Sequence, residues 1–276
     1  MAVATDTLER IVHAALAEDI GAGDVTTEAT VAADAVGTAD LLVKEPGVVC
    51  GLRVAEATFR ALDPDVRFEA LVIDGDAVEA PAVVARVAGS ERAILTGERV
   101  ALNFLGRLSG IATLTRCYVD AVDGTGVAVL DTRKTTPGLR ALEKHAVACG
   151  GGRNHRFGLD DGVLVKDNHL HAAGSVGAVI ERIRAATPLP IEVECDTLAQ
   201  VAEALDEKVD ALLLDNMAED DLVAAVAFVR GRARLEASGG ITLENVRAIA
   251  ETGVDEISIG ALTHSARSLD VSLELT

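Results

Sequence analysis

Short, almost entirely apolar runs alternate with amphipathic helical segments through the second half of the chain. Such runs are typical of strands that are buried on both faces of a parallel sheet, and their alternation with helices predicts repeated βα units. The predicted strands are 127–132, 162–168, 191–197, 211–216, 234–240 and 256–261. Six strands in about 140 residues fall short of the eight of a complete barrel. We therefore expect an incomplete α/β barrel, with an open, doubly wound sheet as the alternative.

The first half of the chain mixes helices and strands in a different pattern. The hydrophobic spacing predicts helices at 6–17, 52–62 and 91–122, strands at 36–43, 66–73 and 83–88, and a loop at 18–30. Gly106 and Gly110 in the long helix predict a kink or close packing of another helix. We expect an N-terminal α+β domain at 1–110 and a barrel domain at 111–265. The tail, 266–276, is expected to return as a strand to the N-terminal sheet.

Composition and charge exclude several classes of partner. The 276 residues carry a net charge of −19, so the chain repels nucleic acid and anionic membranes. No apolar run approaches the roughly 20 residues that cross a bilayer. The N-terminus lacks the pattern of a secretory signal, and the four cysteines have no C-x-x-C spacing, which fits reduced thiols. We expect a cytoplasmic protein with no nucleic-acid or membrane partner.

One segment reverses this acidic character. Residues 133–171 contain seven lysine or arginine residues, four acids and four of the six histidines. Several of the cations follow predicted strands, and barrels place their chemistry at the carboxyl ends of strands. The loop CGGGRNHRFGLDDG between them is too rich in glycine for a helix face. A solvated charged surface is the alternative, but the pattern favours a cationic site for an anionic small molecule.

Glycine-containing turns follow the last two predicted strands. The segment ASGGITLENV places Gly239 and Gly240 between a strand and a helix, and SIGALTHS repeats the arrangement around Gly260. Backbone N–H groups at such a turn can hold a phosphate, and barrels often bind phosphate after their last two strands. A tight turn that needs a positive φ is the alternative. Two such turns in succession favour a phosphate site.

Two carboxylates end successive predicted strands, Glu194 and Asp215. Adjacent strands lie about 4.8 Å apart, so the pair can share one Mg²⁺ or one ribose. Mg²⁺ commonly takes one or two carboxylates together with substrate phosphates. Capping of the following helices is the alternative role. The combined pattern suits a phosphorylated polyol that meets a second, anionic reactant.

Several segments together resemble the quinolinate phosphoribosyltransferase family. They are DTRKTTPGLRALEKHAVACGGGRNHRFGLDDGVLVKDNH, IEVECD, LLLDN and LEASGGI in the second half, and EDIGAGDVTTEAT, KEPGVVCGL and GERVALNFLGRLSGIATLT in the first. The resemblance covers residues 17–265 in the family's order and spacing. It implies an N-terminal α/β sandwich and a seven-stranded barrel, so we expect six to seven barrel strands.

The resemblance also implies a reaction. Phosphoribosyl is transferred from 5-phosphoribosyl 1-diphosphate to quinolinate with decarboxylation, which gives nicotinate mononucleotide, diphosphate and CO₂ for de novo NAD biosynthesis. Mg²⁺ would bind through the substrate diphosphate, with Glu194 and Asp215 as candidate ligands, and no nucleotide or organic cofactor is expected. A homodimer or higher multiple is implied, in which Arg99 reaches the neighbouring subunit's site.

The family motifs assign roles to individual positions. Lys134, Glu194 and Asp215 are implied to be catalytic, the lysine at the diphosphate and the carboxylates at the ribose or Mg²⁺. The implied substrate-binding residues are Arg99, Thr132, Arg133, His155, Arg156, Lys166, Ser238, Gly239, Gly240, Gly260, Ala261 and His264. Of these, Arg133, His155, Arg156 and Lys166 would hold the quinolinate carboxylates, and the residues from Ser238 onward would hold the 5-phosphate.

Two other functions stay open at this point. A Schiff-base aldolase or decarboxylase would use Lys166 as an unprotonated amine, a form that the neighbouring Asp167 disfavours and the nearby arginines favour. A barrel that only binds a phosphosugar would need neither Lys134 nor the carboxylate pair. Both explain less of the sequence.

Overall fold

Two sheets of different construction organise the chain. The structure is a computed structural model and describes residues 3–166, 169 and 175–276; Asp167 and His171 lie outside the described residues. The helices are α1 (Thr5–Ile20), α2 (Val25–Thr30), α3 (Leu52–Leu62), α4 (Glu91–Ala121), α5 (Arg140–Cys149), α6 (Val176–Ala186), α7 (Leu198–Asp206), α8 (Glu219–Val229), α9 (Val246–Glu251) and α10 (Ala261–His264). The strands are β1 (Val36–Val43), β2 (Gly47–Val48), β3 (Arg67–Ala70), β4 (Ala77–Val78), β5 (Ala82–Ser90), β6 (Ala128–Leu130), β7 (Val163–Val165), β8 (Ile191–Cys195), β9 (Ala211–Asp215), β10 (Arg234–Ser238), β11 (Glu256–Ser258) and β12 (Val271–Leu275). Of the helices in this described part, none combines the length and the apolar character that a membrane crossing requires.

The antiparallel sheet has the strand order β12-β1-β5-β3. Alternate residues of β1 face its core, where Ala39, Leu41 and Val43 are completely buried. Phe59 of α3 and Leu105 of α4 belong to the same core. Burying each large apolar side chain contributes about 1.5–3 kcal/mol. A shift of one residue would expose the whole set, so the alternation fixes the register of the sheet.

The C-terminal segment returns to this sheet, where β12 pairs antiparallel with β1. Two glycines of α4 make room for the chain that leads to it. A Cβ at Gly110 would lie 1.9 Å from the carbonyl oxygen of Arg267, and one at Gly106 would lie 2.9 Å from that of Leu269. The backbone N–H of Leu269 donates to the carbonyl of Gly106 at 2.9 Å. The close contact expected at these glycines is therefore with extended chain and not with another helix.

The parallel sheet has the strand order β6-β11-β10-β9-β8-β7. Consecutive strands from β7 to β11 are neighbours, and β6 pairs with β11. An open doubly wound sheet would reverse its strand order at a switch point, so this order favours the barrel over that alternative. Beside β6, Arg153 forms a parallel bridge to Leu130. The predicted α/β class, with an α+β first part and a barrel sheet of six strands, is confirmed.

The chain forms two compact units that do not follow a single boundary. The first comprises the described residues of Met1–Arg116 with Thr135–Gly151 and Ala261–Thr276, and the second comprises Cys117–Lys134 and Gly152–Gly260. The sequence predicts a boundary after residue 110, which would place α5 in the barrel domain. In the structure α5 belongs to the first unit. Within the first unit, Arg107 of α4 donates to Glu143 of α5 at 2.9 Å. This contact between residues distant in sequence helps to join α5 to the first unit.

Three short elements are not predicted by the hydrophobic pattern. Helix α2 lies in the segment expected to be a loop, and Asp24 begins it by accepting a hydrogen bond from the backbone N–H of Thr27 at 3.0 Å. Strands β2 and β4 have two residues each, so they are too short to show a periodicity.

Candidate active site

Most of the predicted site residues lie where the parallel strands end. These ends carry Thr132, Arg133 and Lys134 after β6, Lys166 after β7, Glu194 in β8, Asp215 in β9, Ser238 in β10 with Gly239 and Gly240 after it, and Gly260 after β11. Parallel neighbours end at the same edge of a sheet, so these residues gather at one edge of the second unit. Arg99, Ala261 and His264 belong to the first unit.

The parallel sheet encloses a histidine and two glutamates, of which only the histidine is predicted from the sequence. In this barrel-core cluster (His155, Glu192 and Glu236), Nε2 of His155 lies 3.0 Å from Oε2 of Glu192 and 3.2 Å from Oε2 of Glu236. Glu192 is 6% exposed and Glu236 is 1% exposed. A buried, unpaired carboxylate costs several kcal/mol. The runs IEVEC and RLEAS, each with an acid between apolar residues of a buried strand, are the signal that could have revealed both glutamates.

Hydrogen-bond geometry fixes the ring proton of His155. The backbone N–H of Arg156 donates to Nδ1 at 2.8 Å, so Nδ1 carries no proton and the proton on Nε2 faces the carboxylates. Burial disfavours a charged ring, but hydrogen bonds to Glu192 and Glu236 outweigh it and raise the pKa of His155 to about 10. Burial also raises the pKa of Glu236, against the hydrogen bond from His155. A second ring proton would have to sit on Nδ1, which already accepts from Arg156. Because the three groups titrate together, the raised pKa therefore describes the proton that Nε2 shares with the carboxylates.

Arg156 is partly buried, and its charge is affected by that of Arg133. Burial, and then the charge of Arg133, lower the pKa of Arg156. Asp131 holds the loop that carries Arg156: it accepts from the backbone N–H of His155 at 2.9 Å and from the side chain of Asn154 at 2.6 Å. Asp131 is itself completely buried. Cations at these two positions suit an anion of more than one charge.

Lys166 and Glu194 form an ion pair at the ends of β7 and β8, in which Nζ contacts Oε2. The side chain of Lys166 is 46% exposed, whereas that of Glu194 is 16% exposed. The family motifs assign the two residues to different substrates, so the structure brings together groups that were expected to act apart. An exposed pair of this kind contributes only about 0–1 kcal/mol. A substrate carboxylate can therefore displace Glu194 from Lys166 at little cost.

Asn216 makes a tight corner between β9 and β10. Its backbone N–H donates to the carbonyl of Ser238 at 2.8 Å, and its side chain donates to Oδ2 of Asp215 at 2.8 Å. A Cβ at Gly239, whose φ is +92°, would lie 2.2 Å from the side-chain oxygen of Asn216. Gly240, with a φ of +62°, has open space where a Cβ would stand. The corner thus requires glycine and leaves the backbone of Gly240 accessible to a ligand.

Neither of the two predicted phosphate turns leads directly into a long helix. After Gly240, α9 begins only at Val246, and Oδ1 of Asn245 accepts from the backbone N–H of Thr242 at 2.8 Å in the intervening turn. Helix α10 follows Gly260 directly but has four residues. A phosphate held at these turns would depend on backbone N–H groups more than on a helix dipole.

The other predicted residues lie on exposed positions. The side chain of Arg99 is 63% exposed and its guanidinium lies 3.9 Å from the carboxylate of Glu98. Lys134 is exposed, and its backbone N–H donates to Oγ1 of Thr132 at 3.0 Å. His264 contacts the hydroxyl of Ser265 through Nδ1 at 2.7 Å. These positions suit side chains that act on a ligand or on another chain.

Two family models cover most of the chain. The model described as quinolinate phosphoribosyl transferase, N-terminal domain, matches residues 24–109. The model described as quinolinate phosphoribosyl transferase, C-terminal domain, matches residues 111–274.

Relatives of known sequence and of known structure agree with these models. A probable nicotinate-nucleotide pyrophosphorylase (carboxylating) of Synechocystis sp. is 48% identical over 265 residues, which are 94% of this chain and 90% of the relative. A nicotinate-nucleotide pyrophosphorylase (carboxylating) of Mycobacterium leprae is 45% identical over 279 residues, 99% of this chain and 97% of the relative. The structure of the nicotinate-nucleotide pyrophosphorylase from Francisella tularensis is similar with a TM-score of 0.96 and 39% identity, covering 100% of this chain and 98% of that one.

Proposed function

Because this chain belongs to the quinolinate phosphoribosyltransferase family, we propose that it transfers phosphoribosyl from 5-phosphoribosyl 1-diphosphate to quinolinate, a step of de novo NAD biosynthesis. The products are nicotinate mononucleotide, diphosphate and CO₂. The observation that carries the proposal is the group of cations at the ends of the parallel strands, Arg133 after β6 and Lys166 after β7, with Arg156 in the loop before β7, in a chain whose net charge is −19. Quinolinate carries carboxylates on adjacent ring carbons, and two neighbouring guanidinium groups match that charge pattern.

His155 is assigned to positioning rather than to direct contact with quinolinate. Nε2 faces Glu192 and Glu236, and Nδ1 accepts from the backbone N–H of Arg156. Both ring nitrogens are therefore engaged within the protein. The barrel-core cluster holds the backbone at Arg156, and through it the guanidinium that meets the substrate.

The protein supplies fixed charges along the reaction. The C1–O bond of the phosphoribosyl donor breaks with its electron pair on the departing diphosphate, beside Lys134. Glu194 and Asp215 face the positive charge that develops on the ribose, and the pyridine nitrogen bonds to C1. The alkylated, positive nitrogen then accepts the electron pair that the adjacent carboxylate leaves behind as CO₂, and a proton takes its place on the ring carbon. Positioning and charge account for these steps without a covalent nucleophile.

The residues at the strand ends fit Mg²⁺. One oxygen of Glu194 is engaged by Lys166 and one oxygen of Asp215 by Asn216. Among the described residues, the other oxygen of each carboxylate has no hydrogen-bond partner. Mg²⁺ takes such oxygens together with substrate phosphates, and when bound it would neutralise charge on the leaving diphosphate. We therefore retain Mg²⁺ as the cofactor, bound through the diphosphate with Glu194 and Asp215 as ligands.

The assembly and the location belong to the same proposal. The exposed side chain of Arg99 supports a homodimer or higher multiple in which this residue enters the neighbouring subunit's site. All four cysteines are free thiols, which supports the cytoplasm as the location.

The two other functions fit the site less well. A Schiff base requires a neutral amine, whereas Lys166 is in an ion pair with Glu194. A protein that only binds a phosphosugar has no use for Glu194 and Asp215 at the ribose. Borohydride trapping with a carbonyl substrate tests the first alternative, and a covalent adduct on Lys166 would favour it over our proposal.

The direct test is to incubate the purified protein with quinolinate, 5-phosphoribosyl 1-diphosphate and Mg²⁺ and to measure CO₂ and nicotinate mononucleotide together. We expect equal amounts of the two products. A parallel reaction with nicotinate should give no product. Mononucleotide from nicotinate without CO₂ would assign another acceptor, and tight binding of the phosphoribosyl donor without release of diphosphate would favour a binding protein.

A further inference from the structure

Four side chains with metal-binding atoms meet in the first compact unit, and none of them has a role in the proposed reaction. This thiol cluster consists of Cys50, Asp74, His145 and Cys149. Cys50 follows β2, Asp74 precedes β4, and the other two lie one helical turn apart on α5. The four ligand atoms all lie within 4.8 Å of one another. Residues up to 99 positions apart in sequence thus converge on one point.

The protein backbone already fixes part of this arrangement. Oδ1 of Asp74 accepts from the backbone N–H groups of Gly51 at 3.0 Å and Leu52 at 3.1 Å, where α3 begins. The other oxygen, Oδ2 of Asp74, lies 3.2 Å from Nε2 of His145. Cys50 is completely buried beside them. The cluster is therefore preorganised by the fold of the first unit and not by flexible surface side chains.

The distances match the edges of a tetrahedral zinc site. Zinc bonds of about 2.3 Å to sulfur and about 2.0 Å to nitrogen and oxygen, at tetrahedral angles, place sulfur about 3.5 Å from nitrogen and nitrogen about 3.3 Å from oxygen. Sγ of Cys149 lies 3.5 Å from Nε2 of His145, which lies 3.2 Å from Oδ2 of Asp74. In a nucleophile–histidine–carboxylate triad the two partners contact different ring nitrogens. Here both meet the same nitrogen, as ligands around a common centre do.

We propose that the thiol cluster binds one Zn²⁺ ion. Two sulfurs, one imidazole nitrogen and one carboxylate oxygen are ligands that zinc accepts, whereas Mg²⁺ prefers oxygen alone. Four protein ligands leave no open position, which is typical of structural zinc sites. Both thiols lose their protons to solvent when the ion binds. The ion would tie α5 to the start of α3 and so stabilise the first unit.

Cobalt is the probe for this site, because Co²⁺ reports its ligands through its absorption spectrum. We expect the reduced, metal-free, full-length protein to bind one Co²⁺ per chain, with thiolate-to-cobalt charge-transfer bands and the intense d–d bands of tetrahedral coordination. Zn²⁺ should displace the cobalt. Cys149→Ser should weaken Zn²⁺ binding by more than about 100-fold, above the 10–100-fold cost of losing a hydrogen-bond partner of a ligand. Cys117→Ser is the matched control, because Cys117 is an exposed free thiol outside the cluster.

Thermal unfolding gives a second readout, and it can be made on the wild-type protein, so it does not require that the Cys149→Ser variant folds well. Zn²⁺ should raise the unfolding midpoint of the wild-type protein and of Cys117→Ser, because the ion binds the native state. A cobalt spectrum without charge-transfer bands would overturn the proposal. So would the absence of a Zn²⁺-dependent midpoint shift in the fully reduced wild type, or equal loss of binding in Cys117→Ser and Cys149→Ser.

Discussion

The two sheets of this protein differ in the polar side chains that they bury. Strand β1 places Ala39, Leu41 and Val43 in an apolar core, whereas the parallel sheet encloses Glu192 and Glu236. An apolar side chain gains free energy on burial, while a buried carboxylate loses several kcal/mol unless other groups compensate it. The antiparallel sheet thus favours stability, and the parallel sheet gives up stability to hold charges in defined positions.

The carboxylates of the parallel sheet also differ with depth. The barrel-core cluster is nearly inaccessible, and its hydrogen bonds fix the loop at Arg156. Glu194, two residues after Glu192 on β8, instead pairs with the half-exposed Lys166. The deeper groups are suited to positioning, and the outer pair is suited to exchanging partners with a substrate. Where a reaction proceeds without a covalent nucleophile, preorganised charges of this kind stabilise the charge that develops in the transition state.

The largest effect is expected from Leu41→Ala in the antiparallel sheet. The substitution leaves a cavity in a completely buried core and should lower the free energy of unfolding by about 2–5 kcal/mol. The kcat/KM of the protein that remains folded should not change. Leu275→Ala is the matched control, because that side chain of β12 is 49% exposed and its loss should have little effect. Urea denaturation and assays below the midpoint measure both; an activity loss without a stability loss would contradict the division of roles between the sheets.

The opposite result is expected from Arg133→Ala in the parallel sheet. Removing one guanidinium from the dicarboxylate site should reduce kcat/KM for quinolinate by about 10²–10³-fold. Arg133→Lys should recover little, because a lysine cannot form two parallel hydrogen bonds to a carboxylate. The free energy of unfolding should change by far less than it does in Leu41→Ala. Arg182→Ala on the exposed surface of α6 is the control, and wild-type turnover in Arg133→Ala would refute the site assignment.

A smaller effect is expected from Glu236→Gln in the barrel-core cluster. Because burial raises the pKa of Glu236 above its ordinary value of 4.5, the native state binds this proton more tightly than the unfolded chain. The wild type must therefore lose stability relative to the glutamine variant as the pH rises above 4.5, and below that pH the difference between them should no longer change with pH. Urea denaturation across pH measures this, with the exposed Glu181→Gln as control. A difference that does not vary with pH would contradict the assignment.

The same variant separates positioning from direct binding. Glutamine cannot share a proton with His155 as the carboxylate does, so the backbone at Arg156 should be held less firmly. We expect KM for quinolinate to rise more than kcat falls. If kcat alone fell, the cluster would take part in the chemistry and not only in positioning.

Most elements could be predicted from the sequence, including the three-residue strands β6, β7 and β11, but the two-residue strands β2 and β4 could not. The predicted helix 91–122 is observed as α4, and the strands 36–43, 191–197 and 211–216 are observed within two residues. Strands β2 and β4 exist only because they pair with each other, and no local periodicity reveals such pairing. The inclusion of α5 in the first unit likewise depends on Glu143, whose partner Arg107 is 36 residues away.

The residues of the site likewise divide into those that could be predicted from the sequence and those that could not. Residues that follow the ends of apolar runs could be identified, since parallel strands bring their ends together whatever their spacing in sequence. The partners of those residues could not, because the sequence does not show that Lys166 meets Glu194 or that His155 meets Glu236. The thiol cluster was missed for the same reason, as its residues have no spacing typical of a metal site.

The smallest effect is expected from an ion pair on the surface of the first unit. Arg267 donates two hydrogen bonds of 2.7 Å to Glu45, and its side chain is 74% exposed. Hydrogen bonds from Arg267, and from the backbone N–H of Asp270, lower the pKa of Glu45 below its ordinary value of 4.5. The stabilisation is therefore present above pH 4.5 and is lost as the pH falls further.

Arg267→Ala should accordingly lower the unfolding midpoint slightly at neutral pH and low salt, and less at high salt because exposed pairs are screened. At acid pH the variant and the wild type should unfold together. Arg53→Ala, at an exposed position of α3, is the control for loss of an exposed cation. A difference that persisted in acid and in high salt would mean that Arg267 stabilises the returning chain through packing and not through charge. Charge would then contribute even less to the stability of the first unit than the comparison of the two sheets implies.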